Sequence, residues 1–268
     1  MGVLNVTPDS FSDGGLFGDT DRAVTHGLQM AAEGAGILDI GGESTRPGAQ
    51  PVSAEEELRR VIPVIRALRD QTKVLISIDT MKPEVAEAAL DTGADIINDI
   101  TGLLDPRMAE AAARSGAGVI VMHMQGTPQT MQQAPHYDDV VAEVRAFFET
   151  QIGSLTEAGV APERIALDPG IGFGKALEHN LALLRSLPAL RVSNHPLVIG
   201  VSRKSTLGRL INDDRMESRA WPTVALTSWL RENGAEILRV HDVKANVQAL
   251  RVTEAILGFE STPEGFTA

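Results

Sequence analysis

Cysteine is absent from the 268 residues, which excludes disulfides, thiolate metal sites and a cysteine nucleophile. A reducing compartment is compatible with that absence. Aromatic side chains are scarce, at 4%, so a core must be built from Ala, Val, Ile and Leu, which suit buried parallel strands and closely packed helices. No apolar run approaches the roughly 20 residues that span a bilayer. The N-terminus lacks a basic segment followed by an apolar stretch and a cleavage site, so no signal peptide is expected. Cationic charge is in deficit, with 24 Lys and Arg against 36 Asp and Glu and a net charge of −12. That balance weighs against non-specific nucleic-acid binding, and it makes any local cluster of cations informative.

What is present alternates short β-branched runs with longer helical stretches. The pattern predicts strands over Gly2–Val6, Gly36–Ile40, Val74–Asp79, Asp95–Asp99, Gly118–Met122, Arg164–Asp168, Leu197–Val201 and Glu236–Val240. Several are nearly continuous apolar runs, as expected of strands covered on both faces. Ser53 with Glu56 has the spacing of a capping box, and Asp105 before Pro106 suits an N-cap and first helical position. An open doubly wound sheet uses the same alternation, but eight strand–helix units favour closure into an α/β (β/α)8 barrel, which needs about 250 residues. No linker breaks the chain, so one domain is expected over residues 1–258, with 259–268 as a loose polar tail.

The segments after strands one, two and five are long: Thr7–Asp19, Gly41–Val52 and His123–His136. In a barrel these lie on the catalytic face. Polar residues recur at the same strand ends: Asn5, Asp79, Asn98, Asp99, His123, Asp168, Ser202, Arg203, Lys204, Arg239 and His241. Singly, an Asp or Asn after a strand is as often a cap or turn former, the reading preferred for Asp99 and Thr101. Together they describe a polar rim, since buried polar groups are costly unless used. Arg46, Arg203, Lys204, Arg239 and His241 make that rim cationic in an acidic chain, which suits phosphate or pyrophosphate. Pairing with a nearby acid competes with this reading on even terms for Arg203 and less for Arg46, Lys204 and Arg239. His26, His136, His179 and His195 read as surface or structural, Met122 and Met124 as pocket lining, and Glu55-Glu56-Glu57 as a solvated helix start.

The segments MGVLNVTPDSFSDGG from Met1, GGESTRPG from Gly41, SIDT from Ser77, NDI from Asn98, MHMQGTPQTM from Met122, DPGIGFGK from Asp168, GVSRKS from Gly200 and RVHDV from Arg239 run in order over nearly the whole chain. As a set they resemble the dihydropteroate synthases. The resemblance implies a (β/α)8 barrel, a cytoplasmic homodimer, and condensation of 6-hydroxymethyl-7,8-dihydropterin pyrophosphate with p-aminobenzoate to give 7,8-dihydropteroate and pyrophosphate. Asp79, Asn98, Met122, Asp168, Phe173 and Lys204 would hold the pterin. Asn5, Arg46, Arg239 and His241 would hold the pyrophosphate with Mg²⁺, with Asn5 as its protein ligand and Asp9 or Asp13 assisting when the first loop closes. Phe11, Thr45, Pro47, Phe173, Lys204 and Ser205 would surround p-aminobenzoate. Asp79, Asp168, Lys204, Arg239 and His241 would carry the catalytic step, with no covalent protein nucleophile. Many family members carry a segment before the first strand, which here begins almost at Met1, so a less covered barrel floor is expected.

A methyltetrahydrofolate:corrinoid methyltransferase would share Asp79, Asn98 and Asp168 but has no need of Arg46, Lys204, Arg239 and His241. A degenerate folate-binding or assembly barrel would have lost rim residues, and all are present. The chain lacks the insertion after Phe11 that marks sulfonamide-resistant relatives. Saturating sulfamethoxazole is therefore expected to suppress turnover, and undiminished turnover would contradict that.

Overall fold

The structure is a computed structural model that describes residues 1–7, 15–45 and 48–259. Eight strands appear where the sequence pattern placed them: β1 Gly2–Asn5, β2 Ile37–Gly41, β3 Leu75–Asp79, β4 Ile96–Asp99, β5 Gly118–Met122, β6 Ile165–Asp168, β7 Val198–Ile199 and β8 Ile237–Leu238. The helices that follow them are α1 Gly15–Ala32, α2 Ala54–Arg69, α3 Pro83–Thr92, α4 Pro106–Ser115, α5 Val140–Glu157, α6 Leu177–Arg185, α7 Leu187–Leu190, α8 Ser205–Ile211, α9 Ala220–Glu232 and α10 Val243–Leu257. Strands β1 to β6 pair in sequential order and in parallel, and β7 pairs with β8. Parallel bridges Leu167↔Leu197 and Gly2↔Val240 join the two sheets. The amide of Val3 donates to Val240 O, and that of Val240 to Met1 O, both at 2.9 Å. The sheet thus closes on itself, with no edge left between β8 and β1.

Strands β7 and β8 are shorter than the apolar runs that predict them. Part of the ladder there is made by a side chain instead: Leu197 N donates to Glu236 Oε2 at 2.8 Å. Backbone pairing resumes beyond, where Arg239 N donates to Ile199 O at 3.0 Å.

Side chains alternate across a strand, and the alternation sorts the barrel into two cores. Leu4, Leu38, Ile40, Ile76, Ile78, Ile97 and Leu167 face outward and are fully buried under the helices. Each contributes about 1.5–3 kcal/mol by leaving water. Inside, Ile120, Ala166 and Val198 form a small cluster with Met1, Ile96 and Ile237. Two residues further along the same strands, the inward positions become Asn98, Met122, Asp168, Gly200 and Arg239. An apolar floor thus carries a polar layer at the carboxyl ends of the strands. Near the strand starts lies a cavity of about 220 Å³ lined by Met1, Ile37, Leu238, Val243, Val247 and Leu250.

The caps are as expected in part. Ser53 accepts from Glu56 N at 3.2 Å, and Asp105 accepts from Arg107 N at 3.0 Å with Pro106 opening α4. The Glu56 carboxylate does not complete the box, because Arg59 and Arg60 take it at 2.8 Å each. Helix α1 starts at Gly15, inside the stretch read as loop from Thr7 to Asp19. The acidic run at the start of α2 is not wholly solvated either. Glu57 is fully buried, because it lies on the helical stripe of Val61, Val64, Ile65 and Leu68. It accepts from Lys82 Nζ at 2.5 Å, and Lys82 also donates to Glu43.

No described helix is long and apolar enough to cross a membrane. Lys82→Met would leave two largely buried carboxylates without their cation. The expected loss is about 3 kcal/mol, the low end for breaking a buried pair because Lys82 is partly exposed. Urea unfolding measures it, and an unchanged midpoint would contradict the assignment.

Candidate active site

Parallel registry brings the strand ends together. Asn5 lies opposite Gly41, Gly41 opposite Asp79, Asp79 opposite Asn98, and Met122 opposite Asp168. Asp79, Asn98, Met122 and Asp168 thus share one rim, and Asn98, Met122 and Asp168 are each at most 5% exposed. Inward geometry also brings in Asp39, one inward position below Gly41 on β2.

Arg239 crosses the barrel to meet two carboxylates. Its Nε donates to Asp39 Oδ2 and its Nη2 to Asp79 Oδ2, both at 2.6 Å. Asn98 Nδ2 donates to the same Asp39 at 3.2 Å. Acid pairing, the less favoured reading for Arg239, is what the structure shows: burial requires a counter-charge, and the barrel interior supplies two. Burial pushes the Asp79 carboxyl up to about 7, with Arg239 pulling the other way. The same two carboxylates hold the Arg239 guanidinium above its usual range against its own burial.

Asp168 accepts from Gly170 N at 2.7 Å. Burial raises its carboxyl, opposed by Lys204, by that backbone bond, and by Arg239 and Lys175. Lys204 is pushed down to about 8 by burial, with Asp168 raising it. Its Nζ donates to Ile171 O and lies 4.7 Å from the centre of the Phe173 ring. Three carboxylates (Asp39, Asp79, Asp168) and three cations (Lys175, Lys204, Arg239) therefore interlock on one layer. Three cations gathered at one end of the barrel in an acidic chain give an anion groups to meet there.

His241 stands at the edge of the layer. Its ring Nδ1 is 3.0 Å from Ser202 Oγ, and its backbone N donates to the same oxygen at 3.1 Å. Arg203 points elsewhere: it forms a bidentate pair with Asp242 at 3.0 and 2.5 Å, so the structural reading holds for it. Ser205 opens α8 with an exposed side chain, and Thr45 is half-buried. Phe11, Asp9, Asp13, Arg46 and Pro47 lie outside the described residues, as does the tail from residue 260.

Several bland readings also hold. Asp99 accepts from Thr101 N at 2.8 Å and Leu103 N at 3.1 Å, closing a turn. His195 is buried with Nδ1 3.2 Å from Ile165 O, and His179 Nδ1 accepts from Ala176 N.

Sequence reasoning missed Asp39 and Lys175. Asp39 is a charge inside an otherwise apolar run, Ile37-Leu38-Asp39-Ile40, on the inward parity of β2; that was the available signal. Lys175 closes a glycine-rich loop and gave none. Among the described residues, no group of three or more His, Asp or Glu is arranged to hold a metal ion.

The pterin-binding enzyme family matches residues 1–241. The chain is 53% identical over 257 residues to the dihydropteroate synthase of Escherichia coli strain K12, covering 96% of this chain and 91% of that one. It superposes on the Xanthomonas albilineans dihydropteroate synthase solved with 4-aminobenzoic acid at a TM-score of 0.90, with 49% identity, over 96% of this chain and 92% of that one. For the Yersinia pestis dihydropteroate synthase in a sulfonamide drug complex the TM-score is 0.91 with 47% identity, over 96% and 94%.

The raised Asp79 carboxyl has a consequence for stability. A carboxyl with a folded pKa above its unfolded value favours the folded state while protonated, and that contribution is lost as pH rises from 3.8 through about 7. Asp79→Asn is expected to flatten the fall in unfolding free energy over that window, and an unchanged slope in denaturant titrations would contradict the shift.

Proposed function

The chain belongs to the dihydropteroate synthases of the pterin-binding enzyme family, and we propose that its polar layer carries out their condensation in the following way. It is a transferase that joins 6-hydroxymethyl-7,8-dihydropterin pyrophosphate to p-aminobenzoate in folate synthesis. The observation that carries the residue-level reading is the company of ring-binding carboxylates and cations on one layer: Arg239 donates to Asp79 at 2.6 Å, and Lys204 acts on Asp168 through its charge.

Pterin is an aminopyrimidine fused to an electron-poor ring, so its edge offers N–H donors and carbonyl and ring-nitrogen acceptors. Asp168 accepts two N–H bonds from that edge, Asn98 donates and accepts beside it, and Asp79 accepts from a further ring N–H. Lys204 donates to a ring acceptor, and Met122 and Phe173 cover the ring faces. Burial of Asp168 strengthens each bond it makes.

The reaction forms a C–N bond from the aniline nitrogen to the pterin methylene, breaks the C–O bond to pyrophosphate, and passes one aniline proton to the departing pyrophosphate or to solvent. The path is dissociative: positive charge develops on the methylene and ring as the pyrophosphate leaves. Asp79 and Asp168 stabilise that charge, and Arg239 and His241 hold the departing anion. Asp39 fixes Arg239 by its Nε, so the guanidinium presents a set face to the anion without reorganising. Arg46, Asn5 and the first two loops complete the anion site, and Phe11, Thr45, Pro47, Phe173, Lys204 and Ser205 enclose p-aminobenzoate.

The donor set fits Mg²⁺ held chiefly by substrate oxygens. Asn5 would hold the ion through its side-chain amide oxygen, an oxygen ligand of the kind Mg²⁺ prefers, and among the described residues no cluster of three or more His, Asp or Glu is arranged to hold it. The ion would supply charge neutralisation at the pyrophosphate. Sulfonamides would compete for the p-aminobenzoate pocket.

One domain over residues 1–258 belongs to the same reading, and closure of the sheet around all eight strands supports it. A homodimer does too: Leu210, Trp221, Val252 and Ile256 expose large apolar surface on α8, α9 and α10, which a second copy would cover. A cytoplasmic location rests on the resemblance alone.

The full chain supplied with both substrates and Mg²⁺ is expected to release dihydropteroate and pyrophosphate, and absence of product from folded protein would overturn the proposal. Asp168→Asn is expected to weaken pterin binding by about tenfold or more, as for loss of a charged hydrogen-bond partner; unchanged affinity by calorimetry would remove Asp168 from its role.

A further inference from the structure

Lys175 is the one buried cation of the layer to which the mechanism assigns no task. It is 2% exposed. Its Nζ lies 3.0 Å from His123 Nδ1 and donates to His123 O at 3.2 Å and Phe173 O at 2.9 Å. An ammonium has three N–H donors, and all three are used. Nδ1 of His123 therefore accepts, and its proton sits on Nε2. Burial, then Lys175, holds that imidazole down at about 3, so His123 stays a neutral acceptor.

These bonds tie two segments together. His123 follows β5 directly, with its N donating to Asp168 O at 2.9 Å. Phe173 sits in the loop after β6. The loop lies against the β5 exit so closely that a Cβ on Gly170 would stand 1.9 Å from His123 O, and Gly170 has φ +65°. At Gly174 the clash would be with Gln125 O, at 2.3 Å. Tyr137 Oη donates to Gly174 O at 2.8 Å. The carbonyls of His123 and Phe173 both accept from the one ammonium, and the buried cation satisfies both.

We infer that Lys175 is a positioning residue of this reaction: it pins the loop after β6 to the end of β5 and thereby sets the Phe173 ring and the Asp168 carboxylate against the pterin. The inference rests on the proposed function for the identity of the ligand. Phe173 meets Lys204 at 4.7 Å, so a loop released at the Phe173 carbonyl loosens the ring face and that lysine together. The charge of Lys175 also lowers the Asp168 carboxyl, alongside Lys204 and Arg239, against the burial that raises it. The charged and titratable groups facing Lys175 are Asp168, Lys204, His123 and Tyr137. Burial pushes Lys175 itself down to about 7, with Asp168 opposing.

The test is Lys175→Met, which keeps the length and removes the charge, in the full chain. Pterin affinity, kcat and both KM values are measured from about pH 5 to 9 beside the thermal midpoint. Pterin Kd is expected to rise about tenfold, in line with loss of a charge-assisted contact. The acid limb of binding is expected to move to higher pH, because Asp168 loses a cation that keeps it ionised. Lys175→Arg is expected to return that limb toward the wild-type position. Wild-type affinity and an unmoved limb in folded Lys175→Met, whatever its thermal midpoint, would make Lys175 merely structural. If Lys175→Met does not fold, Lys175→Arg and Lys175→Gln decide: different acid limbs support the inference, and equal limbs overturn it. Wild-type protein that binds pterin but forms no product overturns the proposed function instead, and the Lys175 comparison of Kd stands apart from that result.

Discussion

A guanidinium inside a barrel needs counter-charges in place of water, and Arg239 has two. Asp39 takes its Nε and Asp79 its Nη2, both at 2.6 Å. The pairing is costly to assemble and more costly to break, because removing one partner leaves another charge buried. The other polar groups are arranged around it. Asn98 is held by Asp39, and Asp79 is balanced between its own burial and the arginine. Next to it, Asp168 accepts from the backbone of Gly170 and feels the charge of Lys204, whose Nζ donates to Ile171 O.

The two-residue alternation of parallel strands makes this possible. The same strands that place Ile96, Ile120, Ala166, Val198 and Ile237 on an apolar floor place Asn98, Met122, Asp168, Gly200 and Arg239 one inward step higher. Glycine at position 200 leaves space there: a Cβ would sit 3.7 Å from both Arg239 Cβ and Lys204 Nζ. Outside, the helices supply burial that needs no polar compensation. The barrel can therefore carry interlocked charges at one end because the rest of the sheet is closed and apolar.

Much of this was legible in the sequence, and what was not has a physical reason. Eight strands followed from apolar runs, and the rim from polar residues recurring at their ends. Arg239's partners were hidden, since Asp39 lies 200 residues away in the chain and periodicity reports which face a residue takes, not what lies across the barrel. Glu57 was misread because three adjacent acids suggest a solvated turn, whereas helical phase puts the third on the buried stripe with Val61 and Leu68. Lys175 carried no signal, because the close backbone contact that requires it is made by glycines. The substrates came from the ordered motifs and not from any residue pattern alone.

In the proposed mechanism Asp39 holds Arg239 ready for an anion while Arg239 steadies Asp79 for the pterin. Binding of the pterin pyrophosphate and of the same pterin without its pyrophosphate, compared by calorimetry in wild type and Asp39→Asn, separates the two tasks. The substitution is expected to lower the preference for the pyrophosphate form by about tenfold, the scale of one charge-assisted contact, with a smaller effect on the bare pterin. Equal loss for both ligands, or an unchanged preference, would contradict it.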